Sequence, residues 1–74
     1  MIQGAKLRDY RKPRKVSIYE LAAELGVHPS TVSRMERKDL QGDEFYTAIA
    51  AIEKITKRRA GNMNELDALQ GDAA

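Results

Sequence analysis

The stretch Ser17 to Arg37, "SIYELAAELGVHPSTVSRMER", constrains what this chain can fold into more than any other part of it. Ser17 and Glu20 stand at the spacing of a capping box, in which hydroxyl and carboxylate reciprocally satisfy the backbone N–H groups that open a helix. Val16 and Leu21 bracket that cap as a hydrophobic staple. The pattern predicts a helix over Ile18 to Leu25, stopped by Gly26, because glycine takes the left-handed conformation at little cost. His28 then precedes Pro29, and proline is pre-set for the first turn of a helix. A second helix, Pro29 to about Lys38, therefore begins almost as soon as the first ends. Two helices joined this tightly must cross and share a core. Leu21, Leu25, Val27, Val32 and Met35 supply the apolar side chains for it, and Ala22 is small where the helices come closest.

The rest of the chain repeats the helical spacing, and no run alternates as a strand would. From Ile2 to about Lys12, Leu7, Tyr10 and Arg11 share one side, and Pro13 ends or turns the segment. "DLQGDE" reads as a loop. A further helix runs from about Glu44 to Lys57, with Phe45, Ala48, Ile49, Ile52 and Ile55 as its apolar stripe. "AGN" is expected to break it, and "MNELDAL" forms a last short helix through Met63, Leu66 and Leu69 on this reading. The expectation is an all-α fold, a compact bundle of four to five helices. Residues 1–59 make its one domain, and residues 60–74 form an acidic tail that serves as a short fifth helix or a dimerisation segment.

Inventory excludes much. A chain of 74 residues supports only a thin core, and a pocket with several buried catalytic groups is hard to build on it. Ser17, Ser30 and Ser33 have one histidine between them to act as base, and no phosphate-binding glycine loop occurs. Glu20 and Glu24, one turn apart, read as a solvated face. No enzymatic activity and no cofactor are expected. There is no cysteine, and His28 has no second histidine to join it, so neither a disulfide framework nor a metal site is expected. No apolar run approaches the ~20 residues of a membrane span, and "MIQGAKLRDY" lacks the apolar core of a signal peptide, so the expected location is the cytoplasm. Charge is unevenly spread. Residues 1–59 hold all thirteen Lys and Arg against eight acids, while residues 60–74 hold three acids and no base. A basic body with an acidic tail suits a polyanionic partner.

Two short helices joined by a tight glycine turn make a helix-turn-helix. With the packing residues of "IYELAAELGVHPSTVSRMER" in place, residues 6–57 resemble the Cro and phage-repressor family, often called Xre-like. The resemblance implies a lambda-repressor-like fold whose second motif helix reads DNA. In that family an arginine late in the first helix pairs with a glutamate near the end of the recognition helix. Arg11 and Glu36 stand at the matching places, so the resemblance implies a structural ion pair between them. The sequence departs from the family pattern in three ways. Ile18 replaces the frequent glutamine at the first motif position, the glycine after the recognition helix is delayed to Gly42, and the proline that often opens the next helix is missing.

At roughly 100° per residue, Ser30, Ser33, Arg34 and Arg37 fall within one sector of the second motif helix, away from Val32 and Met35. That sector carries short hydroxyl residues, two arginines and no acid. Short side chains let a helix sink into the major groove, and arginine can donate a bidentate pair to guanine. The candidate DNA-binding residues are His28, Ser30, Thr31, Ser33, Arg34, Arg37 and Lys38, with Arg14 and Lys15 before the motif as phosphate contacts. His28 reads equally as a helix cap and as a contact. Lys54, Lys57, Arg58 and Arg59 read as cations covering the end of their helix, where they suit its dipole.

The expected partner is double-stranded DNA, bound by a small transcriptional repressor acting as a homodimer on a repeated or palindromic site. Two alternatives stand beside it. One is an antitoxin or protein-interaction module that binds a protein partner through the C-terminal tail and also binds its own operator. The other is a DNA-architectural or recombination accessory factor.

Overall fold

The computed structural model describes the backbone of residues 1–73 and the side chains of residues 1–61. In chain order the elements are β1 (Ile2–Gln3), α1 (Ala5–Arg11), a 3-10 turn (Lys12–Arg14), α2 (Ile18–Leu25), α3 (Pro29–Met35), β2 (Asp39–Leu40) and α4 (Gly42–Ala73). The fold is all-α, with one two-residue strand pair added.

Local chemistry sets the boundaries of α2 and α3. The Ser17 hydroxyl accepts from the Glu20 N–H at 3.0 Å, and the Glu20 carboxylate accepts from the Ser17 N–H at 3.2 Å. At the other end Gly26 adopts φ 71°, and the N–H groups of Gly26 and Val27 satisfy the carbonyls of Ala23 and Ala22. The turn back from α1 is made differently. After the 3-10 turn, Lys15 takes a left-handed φ of 56°, unusual for a residue with a Cβ, and Val16 enters the core.

The core is built where the helices face one another. Leu7 of α1, Leu21 and Ala22 of α2, Val32 of α3, and Ala48 and Ile52 of α4 are essentially inaccessible to water. Leu25 and Met35 pack against this cluster half-buried, as do Phe45 and Ile49. Val27 departs from the sequence expectation. It sits in the turn between α2 and α3 and remains 39% exposed, because its N–H closes the end of α2 and fixes it in the turn, outside the helix crossing.

The two strands were not expected from the sequence. Ile2 pairs with Leu40 and Gln3 with Asp39, antiparallel. Next to them the Gly4 N–H donates to the Lys38 carbonyl at 2.8 Å. A methyl at position 4 would overlap the carbonyl oxygens of Met35 and Lys38, so only glycine lets the chain lie this close to the end of α3. The strap makes Asp39–Leu40 extended chain instead of loop and delays the start of the first helix to Ala5; that helix ends at Arg11, where the 3-10 turn begins, and α3 ends at Met35, before the strap.

The break expected at "AGN" is absent. One helix of 32 residues runs from Gly42 to Ala73. An interior glycine costs only ~1 kcal/mol relative to alanine. It stops a helix when the chain turns through a left-handed residue, as at Gly26, and Gly61 has no such φ. The side chains of Met63, Leu66 and Leu69 lie outside the described residues.

Candidate functional site

The rear of α3 is fixed by charge as well as by packing. Arg11 donates from Nε to Glu36 Oε2 at 2.6 Å and from Nη2 to Oε1 at 2.8 Å. Its third donor, Nη1, reaches the Val16 carbonyl at 3.0 Å. The two side chains are only 8% and 6% exposed. This two-point pair locks α1, the loop before α2, and the end of α3 into one geometry.

A second set of ion pairs holds the front of α2 to α4. Arg58 grips both carboxylate oxygens of Glu24 at 3.0 and 3.1 Å. Arg59 pairs with Glu20 and donates to the carbonyls of Arg14 and Lys15. The sequence reading of these residues is corrected on both sides. The arginines do not cover a helix end, because α4 continues beyond them, and Glu20 and Glu24 are paired instead of simply solvated. The Arg59 guanidinium, with the Ser17 N–H behind it, holds the Glu20 carboxyl below its ordinary 4.5.

On the outward side of α3 the candidate residues divide by how they are engaged. Arg34 is exposed and makes no hydrogen bond or ion pair among the described residues. Arg37 is folded back along its own helix, donating to the Ser33 carbonyl and hydroxyl, each at 3.2 Å. Ser30 is exposed, while Thr31 and Ser33 are half-buried. His28 caps the helix: its Nδ1 accepts from the Ser30 N–H at 3.1 Å and lies 2.8 Å from the Ser30 hydroxyl. With Nδ1 accepting, the neutral ring carries its proton on Nε2. The same side chain can thus cap the helix and still offer a donor outward.

The flanking bases are also sorted. Arg14 lies over the Tyr10 ring, 3.5 Å from its centre, and donates to the Tyr10 carbonyl at 2.9 Å. Lys15 and Lys38 are exposed. Sequence reasoning overlooked Arg8 and Lys12. They line a cleft between α1 and α3 together with Arg37, around the Arg11–Glu36 pair. Among the described residues that line it, the only acid is Glu36, which Arg11 already neutralises. Tyr19 was also missed, although its place off the Leu21–Ala22–Leu25 stripe marked it as an outward aromatic. It is 74% exposed beside the start of α3.

Residues 7–41 match the family model described as helix-turn-helix. That span runs from the buried Leu7 of α1 through both motif helices and β2 to Gln41, the residue before α4. No curated protein and no solved structure gives a significant match to the chain.

Proposed function

We infer that this chain, whose residues 7–41 match a helix-turn-helix family model, is a sequence-specific double-stranded DNA-binding protein of the Cro and phage-repressor, Xre-like type that acts as a small transcriptional repressor. The observation that carries this reading is the outward face of α3. It offers Ser30, Ser33, Arg34 and Arg37 without an acid, on a helix fixed from behind by Arg11 and Glu36.

In this account α3 enters the major groove, and Arg34, unengaged among the described residues, donates to a base edge. Arg37 must leave Ser33 to do the same, or it stays folded and meets the backbone. Arg8, Lys12, Arg14, Lys15 and Lys38 surround the helix and contact flanking phosphates, which set position and supply most of the non-specific affinity. Occupying a promoter is enough to exclude polymerase, so repression asks nothing of the chain beyond binding. One such module covers a small area of DNA, and two copies on a repeated or palindromic site supply the missing affinity. In this account the copies pair through the part of α4 beyond Ile55, the last buried position of that helix among the described residues.

The test is the salt dependence of binding to duplex DNA. Log affinity falls linearly with log salt, by about 0.9 for each phosphate neutralised. Lys38→Ala flattens the slope and weakens all sequences alike. Affinity indifferent to salt would remove DNA from the account.

A further inference from the structure

Between the start of α2 and the start of α3 lies a shallow trough, lined by Ile18, Tyr19, His28, Pro29, Ser30 and Ser33. Both of its serine hydroxyls are already engaged within the chain, which leaves His28 Nε2 and the Tyr19 hydroxyl as its open polar groups among the described residues. The Ser30 hydroxyl lies 2.8 Å from His28 Nδ1, and the Ser33 hydroxyl accepts from Arg37 at 3.2 Å. What the trough presents to a visitor is therefore mainly the Ile18 side chain, the Tyr19 ring and the Pro29 ring. Tyr19 is the notable wall. A ring left 74% exposed, with no hydrogen bond from its hydroxyl among the described residues, forgoes burial that the core would have given it. Tyrosine suits a boundary where one end is dry and the other wet.

The surroundings name the occupant's chemistry. The trough borders the acid-free face of α3, with Arg34 and Arg37 on that face and Arg8 and Lys12 in the adjoining cleft. A polyanion seated on those cations brings base edges, not a peptide, against the trough. In the major groove the apolar feature of a base edge is the C5-methyl group of a pyrimidine. We propose that this trough reads a pyrimidine C5-methyl in the bound site, with Tyr19 as a specificity-determining wall. Thymine is its ordinary source, and 5-methylcytosine carries the same group. The inference rests on the DNA-binding reading above and adds to it what the α2 side of the interface recognises.

The experiment uses the full chain and a duplex selected by it from a random library. Each thymine in turn is replaced by deoxyuridine, which removes only the methyl, and each cytosine by 5-methylcytosine. Binding of wild type, Tyr19→Ala and Tyr19→Phe is followed by fluorescence anisotropy at one salt concentration, with circular dichroism to check the fold. One deoxyuridine position should weaken wild-type binding about fourfold, the factor for losing the burial of one methyl-sized group at about 0.8 kcal/mol. Tyr19→Ala should erase that difference, and Tyr19→Phe, which keeps the ring, should retain it. A gain of similar size at one 5-methylcytosine position, again erased by Tyr19→Ala, would support the trough and identify the other source of the methyl. Sequence-dependent binding with no methyl effect at any position overturns the proposal and leaves the DNA-binding reading standing. So does a methyl effect that Tyr19→Ala leaves unchanged. Failure to select any sequence overturns both.

Discussion

Replacing Glu36 by alanine strands a buried guanidinium, and the cost can be worked from the contacts. Arg11 directs two of its donors at the Glu36 carboxylate, at 2.6 and 2.8 Å, and only one at the Val16 carbonyl. Both side chains are more than nine-tenths buried, so water does not simply take the carboxylate's place. Breaking a buried pair from one side costs about 3–5 kcal/mol, which agrees with two lost charge-assisted hydrogen bonds at about 1.5–3 kcal/mol each. At roughly 0.05–0.15 kcal/mol per residue, a chain of this length is stable by about 4–11 kcal/mol. The variant therefore loses a large share of its stability. The assay is urea denaturation followed by circular dichroism. With a slope near 1 kcal/mol per molar, the midpoint falls by about 3 M or the variant is unfolded from the start. The double variant Arg11→Met, Glu36→Leu separates a stranded charge from lost packing, since replacing a whole buried pair by apolar groups is often neutral or stabilising. A loss below about 1 kcal/mol, the range of exposed pairs, would refute the reasoning.

Two further perturbations follow from local geometry. Gly26→Ala meets no neighbouring atom but places a Cβ at φ +71°, so it should cost about 1–2 kcal/mol in the same denaturation assay through backbone conformation alone; an unchanged midpoint would show that the turn relaxes freely. Glu20 titrates below its ordinary 4.5 in the folded chain because of Arg59 and the Ser17 N–H. Its contribution is full above about pH 4.5 and fades as pH falls through the lower folded value. Thermal midpoints measured from pH 6 to pH 2 should decline less steeply below pH 4.5 in Glu20→Gln than in wild type, and parallel curves would contradict the assignment.

The two motif helices were legible because their limits are written in neighbouring residues. Ser17 and Glu20 start α2, Gly26 stops it, and His28 with Pro29 starts α3, each through contacts that span six residues or fewer. Arg11 and Glu36 lie 25 residues apart, and only a family resemblance could connect them before the structure did. The Arg58–Glu24 and Arg59–Glu20 pairs had no such guide. Their partners are separated by 34 and 39 residues, and sequence offers every surface acid the same choice of bases. The strand pair was hidden for another reason. Two residues per strand are too few to alternate, and the requirement for glycine at position 4 comes from carbonyls on a different element. Gly61 misled because a glycine in a helical pattern reads as a stop unless the direction of the chain beyond it is known. The acid-free face of α3 was visible as a helical sector, but Tyr19, on the preceding helix, comes beside it only once α2 and α3 have crossed.

Arg34 tests the central claim most directly, because it is exposed, and unengaged among the described residues, on the face assigned to base reading. Affinities of wild type and Arg34→Ala are measured at one salt concentration, for a selected duplex and for random duplex DNA, with circular dichroism to confirm equal helix content. The account predicts a loss of about 1–3 kcal/mol on the selected site, the worth of a good bidentate base contact. It predicts a much smaller loss on random DNA, whose affinity comes from phosphates touched elsewhere. Equal losses on both would make Arg34 a phosphate contact, and no loss on either would mean that α3 does not read DNA.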